Sequence, residues 1–241
     1  MRYAKRGPLR FTSHRDFARA IERAIWRANV PIAFSQGFTP HPKISFSSAA
    51  PTGVASEAEY MELALREQVD VEELRRALDA ALSPGLDVLE IVETRSPGSL
   101  ADRMTASHWR IELDGVPPQA LADAVAKFTA SDEILVERQT KQGRRTFDTR
   151  AAVVRIGQVA GVASAPGVVV DAQCAILDLV VRQVTPSVRP DDVLSGLRVV
   201  ADLELPVPPR ATRLAQGTLT AQGEIDDPLE ADRDSAVIGE R

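Results

Sequence analysis

Cysteine is almost missing from this chain. The single Cys174 excludes an internal disulfide, and it excludes a zinc or iron–sulfur centre held by cysteines, which needs several thiolates. One cysteine fits a reducing compartment. It lies in the apolar run DAQCAILDLVV and reads as a core filler rather than a nucleophile. Histidine is nearly as scarce: His14, His41 and His108 are the only three. Aromatic residues make up 5%, too few for a broad stacking platform. No run approaches the roughly 18 apolar residues of a membrane helix, and MRYAKRGPLRF lacks the apolar core of a signal peptide. A cytoplasmic protein with no membrane partner is expected. P-loop, GxGxxG, GxSxG and HExxH patterns are absent too, so nucleotide-driven enzymes and the standard hydrolases find no support.

What is present is unevenly distributed charge. The 241 residues carry a net charge of −5, which by itself argues against a nucleic-acid partner. Residues 1–45, however, hold nine Lys/Arg against two Asp/Glu, whereas Glu224 to Arg241 holds seven acidic residues against two basic ones. A local basic patch attracts phosphates whatever the global charge.

The hydrophobic pattern predicts an α+β protein. The first half reads strand, helix, strand, strand, helix, strand. RYAKRGPLRF offers a strand around Gly7 and Pro8. Ser13 caps a helix whose Phe17, Ile21, Ala24, Ile25 and Ala28 share one face, with Asn29 as its stop. VPIAFS and KISFS are strand-like pieces flanking a Gly/Pro loop. EYMELALR alternates as a half-buried strand, VDVEELRRALDAAL is an amphipathic helix closed by Ser83-Pro84-Gly85, and LDVLEIVE is a strand. After the polar hinge TRSPGSLADRM a similar order appears. HWRIELDG and EILVERQT are strands, PPQALADAVAKFTA is a helix that begins with prolines, VVVDAQCAILDLVVRQV supplies one or two strands, and RPDDVLSGLRVV is a short helix. The expected fold is therefore a pair of tandem ferredoxin-like βαββαβ halves. The expected boundaries are 1–94 for the N-terminal half, 95–106 for the hinge, 107–205 for the C-terminal half, and 206–241 for a Pro-rich, then acidic, largely disordered tail.

The candidate chemistry gathers in the first quarter. Arg15, Arg19, Arg23 and Arg27 follow strict i, i+4 spacing and stay within roughly 120° of one helix side. Lys5, Arg6 and Arg10 precede them and Lys43 follows. Opposing carboxylates are few, so an anion-binding face is favoured over a merely solvated one. Arginine suits that role because its planar fork grips phosphate at two points. In RFTSHRD the free N–H groups of the first helical turn lie beside Ser13, His14 and Arg15, a ready anion site.

In SQGFTPHPKISF, glycine and two prolines would hold the loop in a defined shape. Gln36 and His41 would shape or read a bound group, and Phe38 would stack on a base. His14 and His41 are weak candidates for a general acid/base pair on an RNA phosphodiester. With Asp16 they are also candidate metal ligands, although no HxxxH spacing supports a metal. Glu57 and Glu59 either pair with the arginines or are simply solvated, the second being slightly favoured. A second basic cluster, Lys141, Arg144, Arg145 and Arg150, follows a strand, and Arg189 is a further phosphate contact. His108 reads as structural. No cofactor is expected.

The stretch from YAKRGPLRFTSHRD through SQGFTPHPKISFSSAAPTGVASEAEYMEL, followed by RQTKQGRRTFDTRAAV, VRPDDVL and TRLAQG, resembles the radical-SAM-linked protein family, a bacterial family of unknown function. The resemblance implies a stand-alone accessory to a radical SAM enzyme. One cysteine cannot supply the three-cysteine cluster motif of such an enzyme, so the chain is not itself that catalyst. A fold-level analogy to CRISPR RNA-processing proteins with tandem ferredoxin-like halves raises the weight of RNA without establishing activity. The expected function is a non-catalytic RNA-binding accessory in RNA maturation, RNA modification or ribosome-linked work. Its partners would be RNA and a radical SAM enzyme or RNA-processing protein. The alternatives are an adaptor for a radical SAM enzyme and a metal-independent ribonuclease using His14 and His41.

Overall fold

The computed structural model describes residues 1–140, 143–159 and 174–233. It is a mixed α+β fold that divides into two units. The first unit holds Met1–Met104, Gln216–Thr218 and the described residues from Asp226 onward; the second holds Thr105–Ala215 and Leu219–Ile225.

The first unit is built around α1, His14–Arg27. Ser13 caps it: its Oγ accepts from the Asp16 N–H at 3.2 Å and donates to Asp16 Oδ2 at 2.7 Å. Asn29, at φ +52°, ends the helix in the left-handed region. The inward residues Phe17, Ile21, Ala24 and Ile25 recur at helical spacing. They meet Leu74 and Leu78 of α2 (Val71–Ala81), together with Tyr3 of β1 (Arg2–Lys5), Met61 of β3 (Ala55–Leu63) and Leu86 and Val88 of β4 (Leu86–Glu90). The Tyr3 and Phe17 rings stack at 4.9 Å. Each fully buried Ile or Leu in this core contributes about 1.5–3 kcal/mol.

β2 (Ile44–Ser47) pairs with β3, β3 with β1, and β1 with β4, all antiparallel, so the strand order is β4-β1-β3-β2. β3 does not alternate cleanly because both of its faces are covered. Met61 faces the helices, while Ala58 and Tyr60 pack against Leu100, Met104 and Leu229. Burial pushes the Tyr60 hydroxyl up to about 12, against the opposing pull of Arg2.

Some local expectations change. RYAKRGPLRF forms the four-residue β1 and then a 3-10 turn, Gly7–Phe11, because Pro8 removes a ladder donor. VPIAFS is not a strand; it makes only the isolated bridges Ile32–Leu65 and Phe34–Pro42. The hinge is structured as well. Ser99 and Asp102 form a capping box on the 3-10 turn Leu100–Arg103.

In the second unit, β5 (Ala106–Asp114) leads to α3 (Pro118–Ala130), a hairpin of β6 (Leu135–Thr140) and β7 (Gly143–Asp148), then β8 (Val153–Val159), β9 (Cys174–Arg182), α4 (Pro190–Ala201) and β10 (Arg210–Leu219). The strand order is β10-β5-β9-β8, and β6-β7 form a separate two-stranded sheet. The expected strand EILVERQT therefore lies outside the main sheet, and its place is taken by β8. β5 and β9 pair in unbroken register from Ala106–Arg182 to Asp114–Cys174. Trp109, Ile111, Leu113, Leu177 and Leu179 are buried along them. α3 and α4 pack together, and Gly196 permits the approach: a Cβ there would stand 3.0 Å from Phe128 Cε2 and 2.9 Å from Thr149 Oγ1.

The expected disordered tail from residue 206 is corrected over residues 210–233, while residues 234–241 lie outside the described residues. Arg210–Leu219 form a full strand, and α5 (Glu230–Arg233) closes on the first unit, with Arg233 Nη2 on Glu90 Oε2 at 2.8 Å. Asp232 accepts from the N–H groups of Arg95 (3.0 Å) and Ser96 (2.8 Å) and from Arg103 Nη1 (2.7 Å). Burial alone would raise its carboxyl. The Arg103 guanidinium and the two backbone donors outweigh that and hold it well below the usual carboxylate range.

Candidate nucleic-acid interface

The outer side of α1 follows from its inner side. With the apolar residues facing the sheet, the i, i+4 arginines must face out, and Arg15, Arg19 and Arg23 are all exposed. None of the three makes an ion pair or hydrogen bond with a described residue. Asp16, the carboxylate three residues before Arg19, is turned back onto Ser13. Arg27 differs, since its Nη1 donates to the Ala81 carbonyl at 3.2 Å.

The loop beyond α1 is a closed hairpin. The Phe34–Pro42 bridge brings its ends together, and the Ser35 N–H donates to the His41 carbonyl at 2.9 Å. Ser35 Oγ shares a 2.9 Å hydrogen bond with His41 Nδ1 and accepts from the His41 N–H at 3.1 Å. His41 thus holds the loop in shape. Gln36 and Phe38 stand exposed near the tip, and Phe38 has no cover at all. Gly37, at φ +129°, makes the bend, which disfavours any other residue. The Lys43 backbone is fixed by Ala33 and Ala64 while its side chain is exposed.

Sequence reasoning missed Trp26. It lies eleven positions after Arg15, which rotates it only about 20° from that arginine and places it between Arg15 and Arg19 in projection. Trp26 is 63% exposed, and its ring lies 5.9 Å from Phe34 at the base of the loop. The helical projection contained the signal, but the inward apolar face drew the attention.

His14 stands at the other end of α1, with its ring edge-on to Phe46 at 5.1 Å. It borders a shallow depression of about 410 Å³ with Phe46 and residues 49–52. His14 and Trp26 are twelve residues apart, about 18 Å along the helix, and the loop bearing His41 leans on Trp26. His14 is thus at the N-terminal end of α1, and His41 is in the loop that packs near its C-terminal end. Among the described residues, no group of three His, Cys, Asp or Glu side chains is placed to hold a metal, so His14, His41 and Asp16 are not assembled as one.

The remaining expected contacts are mostly engaged elsewhere. The half-buried Arg10 lays its guanidinium 4.8 Å over Phe11. Lys5 is buried, with Nζ 3.3 Å from the carbonyls of Ala50 and Pro51. Arg6 is paired to Glu57 and to Asp87 (2.7 Å), so of the two readings of Glu57 the ion pair is the one found, while Glu59 is neither paired with the α1 arginines nor solvated but buried, its Oε2 accepting from the Ala50 N–H.

In the second unit, Arg144 is exposed on β7, 3.6 Å from Glu137, and Arg145 lies opposite Arg138 in the hairpin. Arg150 folds onto its own turn, donating to the Val153 carbonyl. Arg189 precedes α4, and its N–H donates to Asp192 Oδ2 at 2.8 Å. Lys141 lies outside the described residues. His108 is bonded to Asp178 at 2.5 Å. Burial and the neighbouring Asp114 carboxylate push the Cys174 thiol up, away from its nucleophilic form. A cavity of about 490 Å³ in the first unit, bordered by Leu63, Val69, Ile91 and Glu93, includes none of the expected site residues.

Residues 1–190 match the model of a family described as an uncharacterized protein conserved in bacteria (DUF2344). The chain belongs to that family. The match includes all of α1, the 35–41 loop and Lys43, and it stops at the first residue of α4. Comparison with curated proteins finds no match. Among the described residues no helix is long and apolar enough to cross a membrane.

Proposed function

We propose that this chain is a non-catalytic RNA-binding accessory protein that acts in RNA maturation, RNA modification or ribosome-linked work. The observation that carries the reading is the outer face of α1, where three exposed arginines have no ion-pair partner among the described residues. An arginine left unpaired on a helix surface is available to phosphate, and three in a row track a backbone. Lys43 extends the charge. The strand orders β4-β1-β3-β2 and β10-β5-β9-β8 support reading the units as tandem ferredoxin-like halves, with β6-β7 inserted in the second. His14 and His41 contribute polar contacts and loop shape rather than acid/base chemistry, a reading supported by the His41–Ser35 bonds that close the loop and the packing of His14 on Phe46.

The test is crosslinking of the protein to RNA in its own cells, followed by sequencing of the bound RNA. Wild type runs beside a variant with Arg15, Arg19, Arg23 and Lys43 all changed to Glu. Enrichment of a defined RNA class that the variant loses supports the reading and names the substrate. No enrichment over background sinks it. The adaptor role toward a radical SAM enzyme, which the sequence resemblance suggests, would then lead.

A further inference from the structure

The exposed aromatics of the first unit allow a finer statement about the ligand, one that rests on the RNA reading above. Among the described residues, the large apolar side chains left exposed are Phe11, Trp26 and Phe38, together with the aliphatic Val71, Leu135, Val199 and Val207. All the aromatic members fall within the first 38 residues, in the most basic part of the chain. Trp26 stands on the arginine side of α1, about two turns beyond Arg19 and next to Glu22 and Arg23, backed by Phe34 and open to solvent, and Phe38 tops the loop that Phe34 anchors.

An exposed tryptophan gains nothing from a duplex, whose base faces are hidden by stacking and whose outer surface is phosphate and sugar. An unpaired strand offers both parts of a match: phosphates for the arginines and π-faces for the rings. Successive arginines on α1 advance about 6 Å along the axis, a step comparable to the phosphate spacing of one extended strand. We infer that the ligand is single-stranded RNA lying along α1, with phosphates on Arg15, Arg19 and Arg23 and bases stacked on Trp26 and Phe38.

Tryptophan fluorescence makes this testable on the full chain. Trp109 is 5% exposed and lies beneath the Arg213 guanidinium at 5.4 Å, so quenching by an added ligand reports Trp26. The probes are an unstructured RNA oligonucleotide and the same oligonucleotide annealed to its complement. The single strand is expected to quench the emission and to bind at least tenfold more tightly than the duplex. Read by the anisotropy of an end-labelled oligonucleotide, which does not depend on Trp26, Trp26→Ala and Phe38→Ala should each weaken single-strand binding roughly tenfold, while leaving the weaker duplex binding unchanged. Trp26→Phe should keep most of the affinity and lose the quenching. Both side chains are exposed, and circular dichroism of each variant checks that the fold is intact.

Equal affinity for the two forms, or full affinity in Trp26→Ala, overturns the single-strand inference and leaves the RNA reading standing. Failure of either form to bind in a salt-dependent way overturns the RNA reading itself, and then the Arg15/Arg19/Arg23 variant will be silent as well. Saturable quenching by a protein, with none by RNA, overturns both.

Discussion

α1 and α2 pack on the same sheet with matching apolar faces, yet their outer faces differ. On α2, Arg75 sits 2.6 Å from Glu72 and donates to the Val88 carbonyl, and Arg76 lies 4.0 Å from the same glutamate. Hydrogen bonding to Arg75 holds the Glu72 carboxyl below its usual range. On α1, Arg15, Arg19 and Arg23 face solvent unpaired, and the nearby Asp16 is spent on the helix cap. The difference teaches that arginine on a helix is not in itself a binding signal. What sets α1 apart is that its arginines repeat at i, i+4 and stay unpaired among the described residues, even though Glu22 lies three positions after Arg19.

The inward faces should prove equivalent. Ile21→Ala on α1 and Leu78→Ala on α2, each about 1% exposed, should both cost about 2–5 kcal/mol of stability by chemical denaturation. A much smaller loss on one helix would show that the two do not share a core. The outer faces should then separate in binding. Arg15, Arg19 and Arg23 changed together to Glu should lower single-strand RNA affinity roughly 100-fold at moderate salt and reduce the slope of log affinity against log salt by about 2. The matching Arg75→Glu, Arg76→Glu variant should leave both quantities nearly unchanged.

The caps should again be alike. Ser13→Ala and Asp70→Ala, the latter removing an acceptor for the Glu72 and Glu73 N–H groups, should each cost about 1 kcal/mol. A smaller effect distinguishes a tertiary carboxylate from a surface one. Asp232 has a folded pKa below its unfolded value of about 3.9. Its stabilisation is complete above that value and fades as pH falls toward the folded one. Asp232→Asn should therefore flatten the acid limb of a stability–pH curve, whereas Glu72→Gln on exposed α2, where solvent screens the pair, should flatten it much less.

Much of this comparison was legible in the sequence because it is local. The Ser13 cap, the Phe17/Ile21/Ala24/Ile25 face and the arginine spacing all lie within one helix, where period and cap set the structure. Trp26 was legible in the same projection. The loop's shape was foreshadowed by Gly37 and the two prolines, but the Ser35–His41 bond that gives His41 its role joins residues six apart and follows from how the loop closes.

The second unit was harder to read. Its strand β8 carries little alternation, and the β6-β7 hairpin interrupts the repeat, so the wrong segment was assigned to the main sheet. β10 was hidden by polarity. In the part of β10 that belongs to the second unit, Arg213 is 3% exposed with its guanidinium over the Trp109 ring, and in the part that belongs to the first unit the buried Gln216 donates from Nε2 to the Ala58 carbonyl at 2.6 Å. A strand that turns polar side chains inward looks like a tail to any rule based on hydropathy.

The sequence by itself determined the helices, their caps and the charge on each helical face, because turns, periods and i, i+4 neighbours act over a few residues. Only the tertiary structure decided which cations remain available. Lys5 is buried against the Ala50 and Pro51 carbonyls, Arg6 is bound to Glu57 and Asp87, and Arg15, Arg19 and Arg23 are left open. Those partners lie about 45 to 80 positions away, and strand pairing rather than local pattern brings them within reach.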